Sequence, residues 1–197
     1  MTNADFVTDN LAVGGKESPL DHDGLRAAGI TAILNVGREL DYPAPNGVTV
    51  AKVAMVDSGD NAPIALFTAV STLTSLIANH RRVLVHCAAG GSRSVTVACC
   101  WLVLSGQHPT YAAALEHVKL GRKCASPNDA LRALAETLLN DRPNLTTEAF
   151  AEAMNRFHET RYLARYPDVA KDVKPGGWNS GREHFIKCGF REGRRPN

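Results

Sequence analysis

The chain has 197 residues, a length that suits one domain with at most a small appendage. Apolar residues make up 44% of it and charged residues 21%, as in globular proteins with a sizeable core. The net charge of +2 gives no reason to expect a nucleic acid or a membrane surface as a partner.

The N-terminal residues and the cysteines both indicate the cytoplasm. Residues 1–5 carry neither a basic region nor an apolar stretch, so no signal peptide is predicted. The longest apolar run, residues 95–104, is too short for a bilayer, which needs about 20 residues. Five cysteines without a C-x-x-C pair are most simply buried thiols in a reducing compartment.

Short apolar runs alternate with helical periodicity through most of the chain. Buried strands are predicted at residues 31–36, 48–56 and 83–85, and an edge strand at residues 11–13. Helices are predicted at residues 21–28, 64–79, 94–104 and 110–120. A further helix is predicted to start with Ser126 as N-cap and Pro127 in the first position. This alternation predicts an α/β fold with a central sheet.

A polar break at residues 141–144 divides the chain. The residues after it are rich first in helix formers, then in glycine and basic residues. We therefore predict a larger domain at residues 1–142 and a small, mostly helical appendage at residues 143–197.

One segment, residues 83–94, carries most of the chemistry; it reads Val-Leu-Val-His-Cys-Ala-Ala-Gly-Gly-Ser-Arg-Ser. A loop between a strand and a helix can turn successive backbone N–H groups inward as an anion site. Small residues let this backbone wrap closely around phosphate oxygens, and Gly90 and Gly91 can take positive φ. We call residues 87–93 the phosphate loop. Its predicted substrate-binding donors are Ala88, Ala89, Gly90, Gly91 and Ser92.

Four side chains complete the predicted site. Arg93 offers a planar fork for two phosphate oxygens. The positive field of the loop favours the thiolate of Cys87, which can attack phosphorus and form a thiophosphate intermediate. Ser94 can donate to the sulfur when that sulfur leaves, and His86 is placed among the substrate-binding residues as a group that orients the loop. The segment predicts hydrolysis of phosphate monoesters.

The chain resembles the dual-specificity branch of the cysteine-based protein tyrosine phosphatases. The resemblance covers roughly residues 6–140 and rests on the motifs at residues 11–15, 29–36, 56–58, 86–94 and 126–128. It implies a central mixed sheet of about four to five strands flanked by helices. It also implies a two-step, ping-pong hydrolysis that uses no metal or other cofactor.

The resemblance implies two functional residues outside the phosphate loop. The family uses an aspartate roughly 30 residues before the cysteine as general acid, and Asp57 fits by spacing, with Asp60 in reserve. Asn128 matches an asparagine that braces the phosphate loop in relatives. The structural alternatives are a plain turn at Asp57 and a helix start at Asn128.

The expected partner is a phosphorylated protein, with phosphotyrosine and also phosphoserine or phosphothreonine as candidate groups. The phosphate loop has no lysine or arginine before Arg93, whereas phosphoinositide phosphatases of this superfamily tend to carry basic residues there. The alternatives are a phosphatase for phosphoinositides, RNA or phosphosugars, a non-catalytic phospho-binding module, and a sulfurtransferase or arsenate reductase. The sequence leaves open the oligomeric state and any disulfide between Cys124 and Cys87.

Residues 162–194 resemble a short module found in diverse bacterial proteins. The module begins with Tyr162-Leu163 and Pro167-Asp168-Val169, and ends with Gly189 and Glu192-Gly193-Arg194. The resemblance gives the chain a bacterial character but assigns no role to the module. We expect a small helical appendage, with a docking surface as the alternative.

Overall fold

A computed structural model of the chain describes residues 4–140, 154–174, 177–189 and 194–197. The chain divides into two compact units, Met1–Leu139 and Asn140–Asn197. The polar break at residues 141–144 lies outside the described residues, so a domain boundary at 142/143 stays a prediction.

The first unit is built on one mixed sheet. Its described strands are β1 (Ala4–Phe6), β2 (Leu11–Gly14), β3 (Ala32–Gly37), β4 (Thr49–Met55) and β5 (Val83–His86). Their order is β1-β2-β5-β3-β4; β1 is antiparallel to β2, and every other neighbouring pair is parallel. This confirms the predicted fold class. The prediction of β2 as an edge strand was wrong, because β1, too short to show a periodicity, pairs with its outer side.

Helices cover both faces of this sheet. They are α1 (His22–Ala27), α2 (Pro63–Asn79), α3 (Arg93–Leu104), α4 (Tyr111–Gly121) and α5 (Asp129–Asn140). The start predicted for α5 was wrong. Its N-cap is Asn128, whose Oδ1 accepts from the N–H of Leu131 at 2.9 Å, and not Ser126. The N–H of Ser126 is already bonded to the carbonyl of Gly91.

Alternate residues of the strands enter two cores. Leu34 and Val85 point into the larger core, which they share with α2, α3, α4 and α5. Ile33 and Leu84 point to the opposite face and pack with Leu25 of α1. Because the helices occupy the faces, the carboxyl ends of the parallel strands are left free at one edge of the sheet.

The second unit is helical where it is described, as the sequence predicts. Its helices are α6 (Glu159–Arg165), α7 (Pro167–Asp172) and α8 (Gly181–His184), followed by a π-helical turn at Phe185–Gly189. Tyr162, Val169 and Phe185 form its core. The first part of the predicted helical stretch, residues 147–153, lies outside the described residues. In the parts of both units that the structure describes, no helix is at once long and apolar enough to cross a membrane.

Candidate active site

Three connections meet at the carboxyl edge of the parallel strands. β3 is followed by Arg38 and Glu39, β4 by Val56 and Asp57, and β5 by Cys87. Because β3, β4 and β5 are parallel and adjacent, their carboxyl ends lie together. A cavity of about 500 Å³ lies at this edge; its lining residues are Arg38, Glu39, Val56, Asp57 and Arg93.

Hydrogen bonds from other residues to the backbone carbonyl groups hold the phosphate loop in place. The carbonyls of residues 88–92 all accept hydrogen bonds: Ala88 from the N–H of Lys16 (2.8 Å), Ala89 and Gly90 from the Arg122 guanidinium (3.2 and 2.7 Å), Gly91 from the N–H of Ser126 (2.7 Å), and Ser92 from the N–H of Thr96 (2.8 Å). In a trans peptide the N–H points away from the carbonyl of the same plane. Outward carbonyls therefore turn the N–H groups of residues 89–93 inward, as an anion site requires.

Arg122 is a structural support that the sequence did not reveal. Its side chain is buried and binds two carbonyls of the phosphate loop, those of Ala89 and Gly90. Its Nη1 also forms an ion pair with Asp5 of β1 at 2.8 Å. No spacing pattern could have found it, because 32 residues separate it from Gly90.

The two positions of the phosphate loop that carry glycine exclude a larger residue for different structural reasons. Gly90 has φ +70°, and a Cβ there would lie 2.3 Å from Nη2 of Arg122 and 2.5 Å from the carbonyl oxygen of Gly14. Gly91 lies outside the positive-φ region, but a Cβ there would lie 2.9 Å from the carbonyl oxygen of Cys124. Positive φ was thus correctly anticipated at Gly90 only, and Gly91 allows a close approach of backbone.

Cys87 lies at the floor of the loop, next to the start of α3. It is a free cysteine and only 1% exposed. Its Sγ lies 3.3 Å from Oγ of the fully buried Ser94. This is the distance that the predicted hydrogen bond from Ser94 to a departing sulfur requires.

Arg93 is buried, and part of its fork is already occupied. Nη1 donates to Oε2 of Glu39 at 2.7 Å and to the carbonyl of Met55 at 3.1 Å, and Nη2 donates to Oε1 of Glu39 at 2.7 Å. A guanidinium has five N–H groups. The Nε–H and one N–H of Nη2 are therefore left; the Nε is buried and has no hydrogen-bond partner among the described residues. These two form a side-on pair that suits two phosphate oxygens.

Glu39 is the second residue that the sequence did not reveal. It follows β3, 54 residues before Arg93, and no motif marks it. The hydrogen bonds from Arg93 lower the pKa of Glu39 to about 2, so the ion pair persists at neutral pH. Arg38 beside it is exposed at the cavity and adds a second positive charge to that of Arg93.

The side chain of Asp57 makes a hydrogen bond with the phosphate loop. Its Oδ1 accepts from Ser92 Oγ at 2.6 Å and from Asn128 Nδ2 at 2.8 Å, while its Oδ2 lies 4.0 Å from Nε of Arg93. Asn61 holds the turn that follows, because its side chain bonds to the backbone of Val56 and Ser58.

The side chain of Asp60, the reserve candidate for the general acid, bonds within its own turn and not to the phosphate loop in the described residues. Its Oδ2 accepts from the Ser58 hydroxyl at 3.0 Å within its own turn. Of the two predicted acids, the structure therefore brings Asp57 and not Asp60 to the phosphate loop.

Asn128 joins the acid, the loop and a helix. Its Nδ2 donates to Asp57, its backbone N–H donates to Ser92 Oγ at 3.3 Å, and its Oδ1 caps α5. The contact with the phosphate loop and the helix start, which were predicted from the sequence as alternatives, are both made by this one residue.

His86 does not line the cavity. Its side chain is buried, so it can act on a substrate only through the backbone of the phosphate loop, and its placement among the substrate-binding residues stays a prediction. Its Nε2 lies 2.5 Å from Oη of Tyr42, and its Nδ1 lies 3.4 Å from the carbonyl oxygen of Cys87. Burial lowers the pKa of His86 to about 4, so the ring is neutral at neutral pH.

Comparisons with known proteins agree with this geometry. The family model described as dual specificity phosphatase, catalytic domain, matches residues 13–137. Dual specificity protein phosphatase 1 of Arabidopsis thaliana is 32% identical over 124 residues, 62% of this chain and 62% of that protein. Dual specificity protein phosphatase 2 of Mus musculus is 35% identical over 123 residues, 60% of this chain and 37% of that protein. The chain thus spans less than two thirds of either relative.

A solved structure shows the same fold. The mouse putative dual specificity phosphatase complexed with zinc tungstate is 25% identical to this chain, with a TM-score of 0.64. The match covers 70% of this chain and 87% of the mouse chain.

Proposed function

Since this chain belongs to the dual specificity phosphatase family, we propose that it hydrolyses phosphate monoesters of phosphorylated proteins, with Cys87 as nucleophile. One observation carries the proposal. The buried thiol, the inward N–H groups of the phosphate loop and the Nε of Arg93 lie at the carboxyl ends of the parallel strands, beside Asp57; among the described residues this Nε has no hydrogen-bond partner. A thiol nucleophile, an anion site and an acid are what phosphoryl transfer through an enzyme thiophosphate needs.

In the first step the Cys87 thiolate attacks phosphorus. The S–P bond forms, the P–O ester bond breaks, and the leaving oxygen takes a proton from Asp57. Oδ2 is the oxygen suited to carry that proton, because Oδ1 already accepts from Ser92 and Asn128. The Nε–H and Nη2–H of Arg93, together with the loop N–H groups, bind the phosphate oxygens and stabilise their charge in the transition state.

In the second step water attacks phosphorus from the side that the leaving group has vacated. Asp57 takes a proton from that water, the new P–O bond forms, and the S–P bond breaks. Ser94, 3.3 Å from the sulfur, donates a hydrogen bond to the thiolate as it reforms. Inorganic phosphate then leaves, and the enzyme returns to its starting state.

The proposed substrates carry phosphotyrosine, phosphoserine or phosphothreonine. The family supports a protein substrate, and the cavity of about 500 Å³ is large enough for an amino-acid side chain with its phosphate. A cytoplasmic location is part of the proposal. The buried thiols of Cys99 and Cys100 fit a reducing compartment.

A substrate panel tests the proposal. The reduced 197-residue chain is given peptides with each of the three phosphorylated residues, a phosphoinositide, 5′-phosphorylated RNA and a sugar phosphate, and released phosphate is measured. We expect release from phosphopeptides by the wild type and none by Cys87→Ser. Release only from the other compounds would show that the substrate class is wrong. Phosphopeptide binding without any release would show a binding module in place of an enzyme.

A further inference from the structure

Tyr42 lies in the connection between β3 and β4 and reaches the residue before the nucleophile. Its Oη lies 2.5 Å from Nε2 of His86, with the two ring centres 5.5 Å apart and tilted by 48°. On the other side of the imidazole, Nδ1 faces the carbonyl oxygen of Cys87 at 3.4 Å. The histidine ring therefore joins a distant tyrosine to the first peptide of the phosphate loop.

Only one neutral form of the imidazole satisfies both contacts. With the proton on Nδ1, His86 donates to the Cys87 carbonyl and its Nε2 accepts from the Tyr42 hydroxyl. With the proton on Nε2, a nitrogen lone pair would face the carbonyl oxygen inside a buried site, which is unfavourable. The charged form is disfavoured by burial, which lowers the pKa of His86 to about 4.

The orientation of the Cys87 carbonyl bears directly on the anion site. This carbonyl and the N–H of Ala88 belong to one trans peptide, so they point in opposite directions. A carbonyl held against His86 therefore turns the Ala88 N–H into the phosphate loop. The next carbonyls have other supports, among them Lys16 and Arg122, whereas in the described part of the chain the first is contacted by His86.

We propose that Tyr42 is a positioning residue: its hydroxyl donates to Nε2 of His86, keeps the proton on Nδ1, and so aims the N–H of Ala88 at a bound phosphate. The inference deepens the proposed function and rests on it for the identity of the ligand. The tests below measure a tautomer and phosphate binding, so they do not depend on turnover.

The first test observes the tautomer. Imidazole nitrogen shifts of His86 are recorded by NMR at neutral pH in the wild type, Tyr42→Phe and Tyr111→Phe. Tyr111 is the matched control, because it is a buried tyrosine of α4 for which no contact with His86 is found in the described part of the chain. We expect the Nδ1–H form in the wild type and in Tyr111→Phe, and a substantial Nε2–H population in Tyr42→Phe. An Nε2–H wild type, or an unchanged Tyr42→Phe, would overturn the inference.

The second test measures the affinity of the protein for inorganic phosphate. Loss of one oriented donor weakens binding about three- to tenfold in Tyr42→Phe, and Tyr111→Phe binds like the wild type. His86→Asn supplies a double-mutant cycle, because the amide of asparagine keeps a donor near the position of Nδ1 whatever residue 42 is. In that background Tyr42→Phe should change nothing.

The outcomes separate the two proposals. An equal loss from Tyr42→Phe in both backgrounds would mean that the hydroxyl does not act through His86. A wild type that binds phosphate and carries the Nδ1–H tautomer, yet releases no phosphate from any substrate, would contradict the proposed function and support the inference. A wild-type protein that hydrolyses a substrate but carries the proton of His86 on Nε2 would support the proposed function and contradict the inference.

Discussion

Glu39 accepts two hydrogen bonds of 2.7 Å from the guanidinium of Arg93, although 54 residues separate the two in the chain. The arginine side chain is 4% exposed and the glutamate side chain about 50%. The pair therefore reaches from the surface into the site, and it leaves only the Nε side of the arginine for a substrate. The consequences of such contacts can be measured one residue at a time.

Glu39→Gln should lower kcat/KM for an aryl phosphate about 10- to 100-fold, because it removes hydrogen bonds between charged groups that orient Arg93. The loss should not change as pH falls through the usual titration range of a carboxylic acid, since Arg93 lowers the pKa of Glu39 to about 2. Glu116→Gln, whose partner is Lys119 on the surface, is the control. Wild-type kcat/KM in Glu39→Gln would show that Arg93 needs no such support.

Asp57→Asn should lower kcat about 10²- to 10⁴-fold for an alkyl phosphate, whose leaving group must be protonated. The loss should be smaller for an aryl phosphate with an acidic phenol as leaving group. Asp60→Asn should be indistinguishable from the wild type, since Asp60 bonds only within its own turn in the described residues. Comparison of kcat for the two substrates checks this, and equal losses from both variants would refute the choice of Asp57.

Ser94→Ala should slow the second step more than the first, because its hydroxyl lies 3.3 Å from the sulfur that must leave. Rapid-mixing kinetics should then show a burst of leaving group followed by slow turnover. Ser105→Ala, just past the other end of α3, should behave like the wild type. A uniform decrease without a burst would argue against a role for Ser94 in breaking the thiophosphate.

Gly90→Ala and Gly106→Ala separate backbone strain from crowding. Both glycines have positive φ, +70° and +76°, so an alanine strains either one by about 1–2 kcal/mol. Only at Gly90 would the new Cβ meet other atoms, those of Arg122 and Gly14; at Gly106 nothing lies within 4 Å. Both variants should lose thermal stability, but only Gly90→Ala should also lose phosphate binding and activity. Equal activity in both would contradict the tight packing of the loop.

The buried His86 should make stability depend on pH. Its pKa is lowered from 6.5 to about 4, so between these values the unfolded chain binds more protons than the folded one. The contribution is fully present above pH 6.5 and is lost as pH falls towards 4, to a total of about 3 kcal/mol. Urea unfolding at about pH 7 and about pH 4.5 measures it. His86→Asn should lose less stability over this interval than the wild type, and an equal loss would refute the assignment.

The local parts of the fold could be predicted because their signals are local. Strand β5, the phosphate loop and α3 follow one another within residues 83–104, and alternation, small residues and an apolar run mark each of them. The errors arose where a neighbour distant in sequence decided the outcome. β2 lies inside the sheet because β1 pairs with it, and α5 has its N-cap at Asn128, whose side chain also bonds to the distant Asp57.

By itself the sequence was enough to predict the candidate nucleophile, the arginine and the backbone donors, because these lie within seven consecutive residues, 87–93, and need only a strand-to-helix turn. Only the tertiary structure decided what holds them. The strand order β1-β2-β5-β3-β4 places the ends of β3 and β4 beside that of β5, and this brings Glu39, Asp57 and Tyr42 to the loop. Such contacts depend on how the strands are arranged in space, and the spacing of residues along the sequence does not predict that arrangement.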